Sequence, residues 1–365
     1  MKSMYEKYAE LLVRYSLELE KGERLLIAST YLSEPLVQEV FREALKAGAH
    51  PETWITLNGL ARTLYDEGSP EQLQYTSPLY RHAIEHFEAV LFIRAPFNVR
   101  ELQTVDPEKK KTASIADAGV RKVFKERAAS GDLKWTLCEF PTASQAQESG
   151  FGSREYEEFV FSACFLDRDD PEGEWRAIHD VQQRAVALLN GREIVRIKGR
   201  DTDVSFSTKG RKWINSDGKH NMPSGEVYTS PEETSANGCV RFSFPGIYMG
   251  QEIEDVRLQV RDGLVYAWEA AKGKALLDSI LGIPGANRFG EAAIGMNRGI
   301  DRFTKNMLFD EKMAGTIHMA LGSSYGEAGG RNESAIHWDL LADMKDGGEI
   351  HADGEMIYRN GEFLL

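Results

Sequence analysis

Apolar residues recur along the first half of the chain with two alternating periods. Over residues 1–20, Leu11, Leu12, Tyr15 and Leu19 fall at helical spacing, which gathers apolar side chains on one face of a helix. Gly22 stops that pattern. Residues 24–29 (RLLIAS) then form an apolar run of strand length. Pro35 opens a stripe of Leu36, Val37, Val40, Phe41 and Leu45 that Gly48 closes, the order of a helix with proline near its start and glycine near its end. Residues 52–56 (ETWIT) read as the next strand. Strand, helix and strand within about 30 residues make a βαβ unit with right-handed parallel pairing. The pattern returns in a strand at 89–94, a helix over 113–129, a strand at 134–140 and helices from Pro141 to about Leu189.

The period changes near Gly191. EIVRIKG alternates polar and apolar residues, and DTDVSFSTKG follows as the second arm of a hairpin. VRFSF and RLQVRDGLVYAWEA continue the short-strand pattern, and Asp262-Gly263 sits between two alternating runs, a strong two-residue hairpin signal. The expectation is an α/β N-terminal domain with a mostly parallel sheet, residues 1–189. An α+β C-terminal domain with an antiparallel sheet, residues 190–365, carries the metal site considered below. No internal repeat and no low-complexity segment interrupts either half.

Composition narrows the function. Hydrophobic residues make up 42% of the 365 and charged residues 28%, ordinary for a globular chain long enough to bury a sizeable core. The net charge of −13 argues against nucleic acid, which asks for a basic face, and against an anionic membrane surface. Cys138, Cys164 and Cys239 lie far apart without a CxxC pair, so neither a disulfide framework nor a thiolate zinc site is indicated. The N-terminal stretch is amphipathic and charged, without an apolar signal core, and no membrane-length apolar run occurs. A reducing cytoplasm is the expected compartment.

Dinucleotide, P-loop and HExxH motifs are absent. One GxSxG occurs, at Gly322-Ser323-Ser324-Tyr325-Gly326. A nucleophile elbow needs a strand before it and a helix after it. TIHMAL supplies a strand, but Gly329 and Gly330 follow closely, and a loop is the expectation. A serine hydrolase built on Ser324 with His351 downstream remains an alternative, as does a non-catalytic binding protein with a structural ion.

Acids and histidines gather between Gly225 and Asp339. NMPSGEVYTSP brings Glu226, RFGEAAIG brings Glu291, and LFDEKMAGTIHMALGSSYGE brings Glu311, His318 and Tyr325. AIHWD brings His337 and Asp339. Divalent ions of hard or borderline character take carboxylate oxygens and neutral imidazoles. His337 and Asp339 are two residues apart, so on a strand they share one face. Glu226 and Glu291 each follow a glycine, which permits close backbone approach at a crowded site. Taken singly, each acid also suits a solvated turn, and His318 between Ile317 and Met319 also suits a sheet core.

The order GEVxTxP, FGE, LFDE…IHMALG…Y, AIHxD and DGEMIYRNGEF resembles the thermophilic aminopeptidase T family, the M29 dinuclear metallo-aminopeptidases. YAELLVRYSLELEKGERLLI and INSDGKHNMPSGEVYTSP resemble it too, so the likeness runs from near residue 8 to the end. It implies metal ligands at Glu226, Glu291, Glu311, His318, His337 and Asp339, with Tyr325 close to the metals. It also implies peptide substrates and a homodimer. The segment between Glu311 and His318 is slightly longer than the family pattern, and the loop between Tyr325 and His337 is shorter than in many relatives. On that reading two divalent ions, zinc, cobalt or manganese, share a carboxylate and a bridging water. Tyr325 donates to the oxyanion, and one of the glutamates serves as general base. Tyr325 and Glu311 are the candidate catalytic residues. A dipeptidase or another dinuclear amide hydrolase is the nearest alternative.

Overall fold

Five parallel strands form the sheet of the N-terminal part, in the order His50–Thr56, Arg24–Thr30, Ala89–Arg94, Lys134–Glu139 and Asn221–Met222. The computed structural model describes residues 2–248 and 250–365. By internal packing the chain divides into two units: the residues through Glu172 together with Gly218–Pro223, and Gly173–Asp217 together with Ser224–Leu365. The boundary expected at 189/190 falls at the far end of the helix Pro171–Asn190.

In the first unit, apolar runs become buried strands. Leu25, Leu26, Ile27, Val90, Leu91 and Ile93 are almost wholly buried, as strands covered on both faces require. The helix Glu34–Lys46 buries Leu36, Val37 and Val40 of the stripe read from the sequence, together with Ala44, while Phe41 and Leu45 of that stripe are exposed. The opening helix is α-helical over Met4–Glu10 and widens to a π-helix over Leu11–Ser16. The helix expected at 113–129 is two helices, Pro107–Ala116 and Ala118–Ser130. Asp106 starts the first by accepting from the Glu108 N–H at 2.9 Å, with Pro107 in its first turn, a start signal that the apolar pattern alone passes over.

The second unit holds two antiparallel sheets. Eight strands run in the order Leu264–Glu269, Val256–Arg261, Asn237–Phe242, Thr202–Ser207, Ile194–Gly199, Glu349–Ala352, Glu355–Arg359 and Glu362–Phe363. Five run in the order His337–Asp343, Thr316–Gly322, Phe289–Gly295, Glu226–Thr229 and Ile214–Ser216. The Asp262-Gly263 turn has φ of 48° and 74°, the positive pair that a type I′ hairpin needs. One apolar cluster takes side chains from both sheets, among them Val195, Ile197, Phe206 and Phe242 from the larger and Val227, Ile294, Met319 and Leu340 from the smaller. Among the described residues no helix is long and apolar enough to cross a membrane.

Candidate metal centre

The five-stranded sheet sorts its side chains by face. Val227, Ala292, Ile294, Ile317, Met319, Leu321, Trp338, Leu340 and Ala342 belong to the apolar core. By strand alternation Glu226, Glu291, His318, His337 and Asp339 stand on the other face. One register break is essential to this. Phe289 pairs with Leu321, but Glu291 pairs with Ala320, so Gly290 is an extra residue in its strand. Without that bulge Glu291 would follow Phe289 into the core; with it, Glu291 turns to the opposite face. A Cβ at Gly290 would lie 2.3 Å from the Ser323 carbonyl oxygen, so only glycine fits. Ala320 sits between Glu291 and Asp339 in register and leaves room for both carboxylates.

Glu226 is fixed from two sides. Gly225 before it has φ of +114°, and a Cβ there would stand 2.7 Å from that of Asn297. The Asn297 side chain donates to the Ser224 carbonyl at 2.8 Å, and its N–H donates to the Lys312 carbonyl at 2.9 Å. The Gln182 side chain donates to the Glu226 carbonyl at 3.0 Å. Glu311 closes the short helix Met307–Asp310 as its C-cap, which brings a loop residue to the sheet face.

The convergence is close. His337 Nε2 lies 2.9 Å from Glu291 Oε2 and 3.6 Å from Asp339 Oδ1. His318 Nε2 lies 3.4 Å from Glu226 Oε2 and 3.6 Å from Glu291 Oε1. Two sets of donor atoms each fall within 4.8 Å of one another: Glu291, His337 and Asp339, and Glu311, His318 and Asp339. Asp339 is common to both. The Tyr325 ring lies 4.9 Å from that of His337 and 5.3 Å from that of Tyr228. The Tyr228 hydroxyl donates to Glu327 at 2.7 Å.

The charges perturb one another strongly. Burial disfavours charged imidazoles, but contact with Glu291 and the charges of Glu226 and Asp339 push His318 up to about 9. His337, beside Asp339 and Glu291, is pushed up to about 11 against the same burial. Burial and the neighbouring acids push Glu311 up to about 7. Desolvation and four carboxylates drive the Tyr325 phenol well above its ordinary value, so it stays a hydrogen-bond donor at neutral pH.

The donor set fits divalent ions. Glu226 Oε2, Asp339 Oδ1 and His318 Nδ1 are buried without a hydrogen-bond partner among the described residues, and such atoms cost about 1–3 kcal/mol each unless something satisfies them. The Ser323 carbonyl lies 2.7 Å from His337 Nδ1. An N–H there fixes the tautomer that turns the Nε2 lone pair into the cluster, the outer-shell contact of a ligating histidine.

All six acids and histidines singled out in the sequence therefore meet, with Tyr325 beside them. Ser324 does not fit an elbow, because only the three-residue turn Gly326–Ala328 follows it and its hydroxyl accepts from the Asn332 N–H at 3.2 Å. His351 stands on the larger sheet, 3.0 Å from Glu349. Lys312 is the residue that sequence reasoning missed. It is wholly buried, 3.2 Å from Glu226 Oε1 and in contact with Glu311. A lysine in DEKMAG reads as a solvated turn, and no local pattern marks it otherwise.

A carboxylate–histidine cluster on one face of an antiparallel sheet, with donor sets suited to divalent ions, is the framework of a metal-dependent hydrolase. The family model described as Thermophilic metalloprotease (M29) matches residues 1–363, and the chain belongs to that family. It is 28% identical to Aminopeptidase 2 of Geobacillus stearothermophilus, covering 99% of this chain and 97% of that one. It is also 28% identical to Aminopeptidase T of Thermus thermophilus, covering 99% and 98%. The solved structure of wild-type AmpT from Thermus thermophilus superposes with a TM-score of 0.84 at 26% identity, over 99% of each chain.

Proposed function

We propose that this metallo-aminopeptidase removes single residues from the free amino end of peptides, using two divalent ions. Glu291, His337 and Asp339 hold one ion, Glu311, His318 and Asp339 the other, and Glu226 completes the set. The observation that carries this reading is Asp339, shared by two donor sets. Bound there, zinc, cobalt or manganese supplies Lewis-acid polarisation of the scissile carbonyl and acidifies a water shared between the ions. Tyr325 donates a hydrogen bond from its hydroxyl to the oxygen on which negative charge develops, a contact worth about 2.7–4 kcal/mol in comparable sites. Glu311, at the loop edge of the cluster, is the candidate general base. The four carboxylates make a pocket that favours a free amino group over a capped one. The family resemblance supports a homodimer, and three free cysteines suit a cytoplasmic setting.

The experiment is hydrolysis of matched peptides with free and N-acetylated ends. Free peptides lose their first residue and acetylated ones are poor substrates. Equal cleavage of both contradicts the exopeptidase reading.

A further inference from the structure

Lys312 is held in place by its own backbone. Its carbonyl accepts from the Asn297 N–H at 2.9 Å, and its N–H donates to the Phe309 carbonyl at 3.0 Å. The chain passes so close to Gly295 that a Cβ there would lie 2.2 Å from the Met313 carbonyl oxygen. With 0% of the side chain exposed, the ammonium has no path to solvent without moving this segment. A buried ammonium is strongly disfavoured unless paired. Here Glu226 and Glu311 are its ion-pair partners. Among the described ion pairs, Lys312 joins neither Glu291 nor Asp339, whose partners are histidines. The lysine is therefore asymmetric in its contacts: it touches Glu226 and Glu311, and reaches Asp339 only through its charge.

Two consequences follow from Coulomb's law in a low-dielectric interior. Without metal, Glu226 and Glu311 repel each other and Asp339, and a fixed cation between the two glutamates relieves that repulsion. With metal, the same cation opposes the incoming ion. We infer that Lys312 is a resident counter-cation, a positioning residue that holds Glu226 and Glu311 together in the metal-free protein and weakens metal binding on their side of the cluster. The two donor sets then fill in order, Glu291, His337 and Asp339 first. This rests on the metal reading given above.

The test uses the full chain, metal-free and cobalt-loaded, as wild type, Lys312→Met and Glu311→Gln/Lys312→Met. Metal-free Lys312→Met melts at least about 5 °C below metal-free wild type, and saturating cobalt closes most of that gap. The double variant, with one repelling charge removed, recovers most of the loss without metal. Calorimetric titration of Lys312→Met shows the weaker cobalt site tightened at least about tenfold. The inference is overturned by an equal gap with and without cobalt, by no gap at all, by no recovery in the double variant, or by Lys312→Met failing to fold even with cobalt. A wild type that takes up no cobalt refutes the metal reading instead. The metal-free comparison of the three proteins then still decides whether the ammonium holds the glutamates.

Discussion

His337 Nε2 lies 2.9 Å from Glu291 Oε2 although 46 residues separate them. The contact depends on two features of neighbouring strands. His337 pairs in register with Gly322, which sets its imidazole at the sheet edge beside the Ser323 carbonyl. The bulge at Gly290 turns Glu291 from the core face to the site face. The candidate metal face thus lies on a sheet whose other face is packed with apolar side chains, so five of the six candidate ligands stand on strands and Glu311 alone comes from a loop.

The alternation in His337-Trp338-Asp339 separates site from core. Replacing His337 or Asp339 by alanine removes activity and lowers bound metal per chain while the fold persists. Trp338 is 4% exposed and donates its indole N–H to the Ile247 carbonyl at 3.1 Å. Trp338→Ala therefore costs about 3–5 kcal/mol of stability and affects turnover only indirectly. Turnover, metal content and melting temperature of the three variants check this. Normal metal and turnover in both ligand variants would contradict it.

Much of this was legible in the sequence. The helix punctuation of Pro35 and Gly48 and the Asp262-Gly263 hairpin are local chemistry, and both appear where the patterns place them. The HxD spacing foretold a shared face because strand period is fixed at two. Three features were not legible. Asn221–Met222 adds a fifth strand to the parallel sheet from only two residues, too short for any periodic signal. The bulge at Gly290 depends on the approach of Ser323, a contact that forms only in the folded sheet. Lys312 is polar in sequence and buried in structure, because the acids that compensate it come from elsewhere in the chain or from its own neighbour Glu311.

A pH-dependent element lies in the first unit. Arg24 holds the Glu88 carboxylate through side-chain contacts at 2.6 and 3.1 Å and a backbone N–H at 2.8 Å. These lower its pKa from 4.5 to about 2, against some burial. A carboxylate lowered in the folded state contributes stability above its unfolded pKa and loses it as pH falls through the folded one. Because the Arg24 and Glu88 side chains are 43% and 34% exposed, solvent screening limits the contribution to about 1 kcal/mol. Glu88→Gln is thus destabilised at pH 7, and the difference from wild type fades between pH 4.5 and about 2. Urea midpoints across that range measure it; a difference independent of pH would contradict the linkage.

Hydrolysis is expected to depend on divalent metal held at this cluster. The most direct measurement of that dependence is metal content per chain together with hydrolysis of a panel of aminoacyl chromogenic substrates, before chelation, after chelation and after readdition of cobalt, zinc or manganese. The expected result is about two ions per chain, loss of activity with their removal, and recovery with their return. Full activity in protein shown to be metal-free would contradict the account.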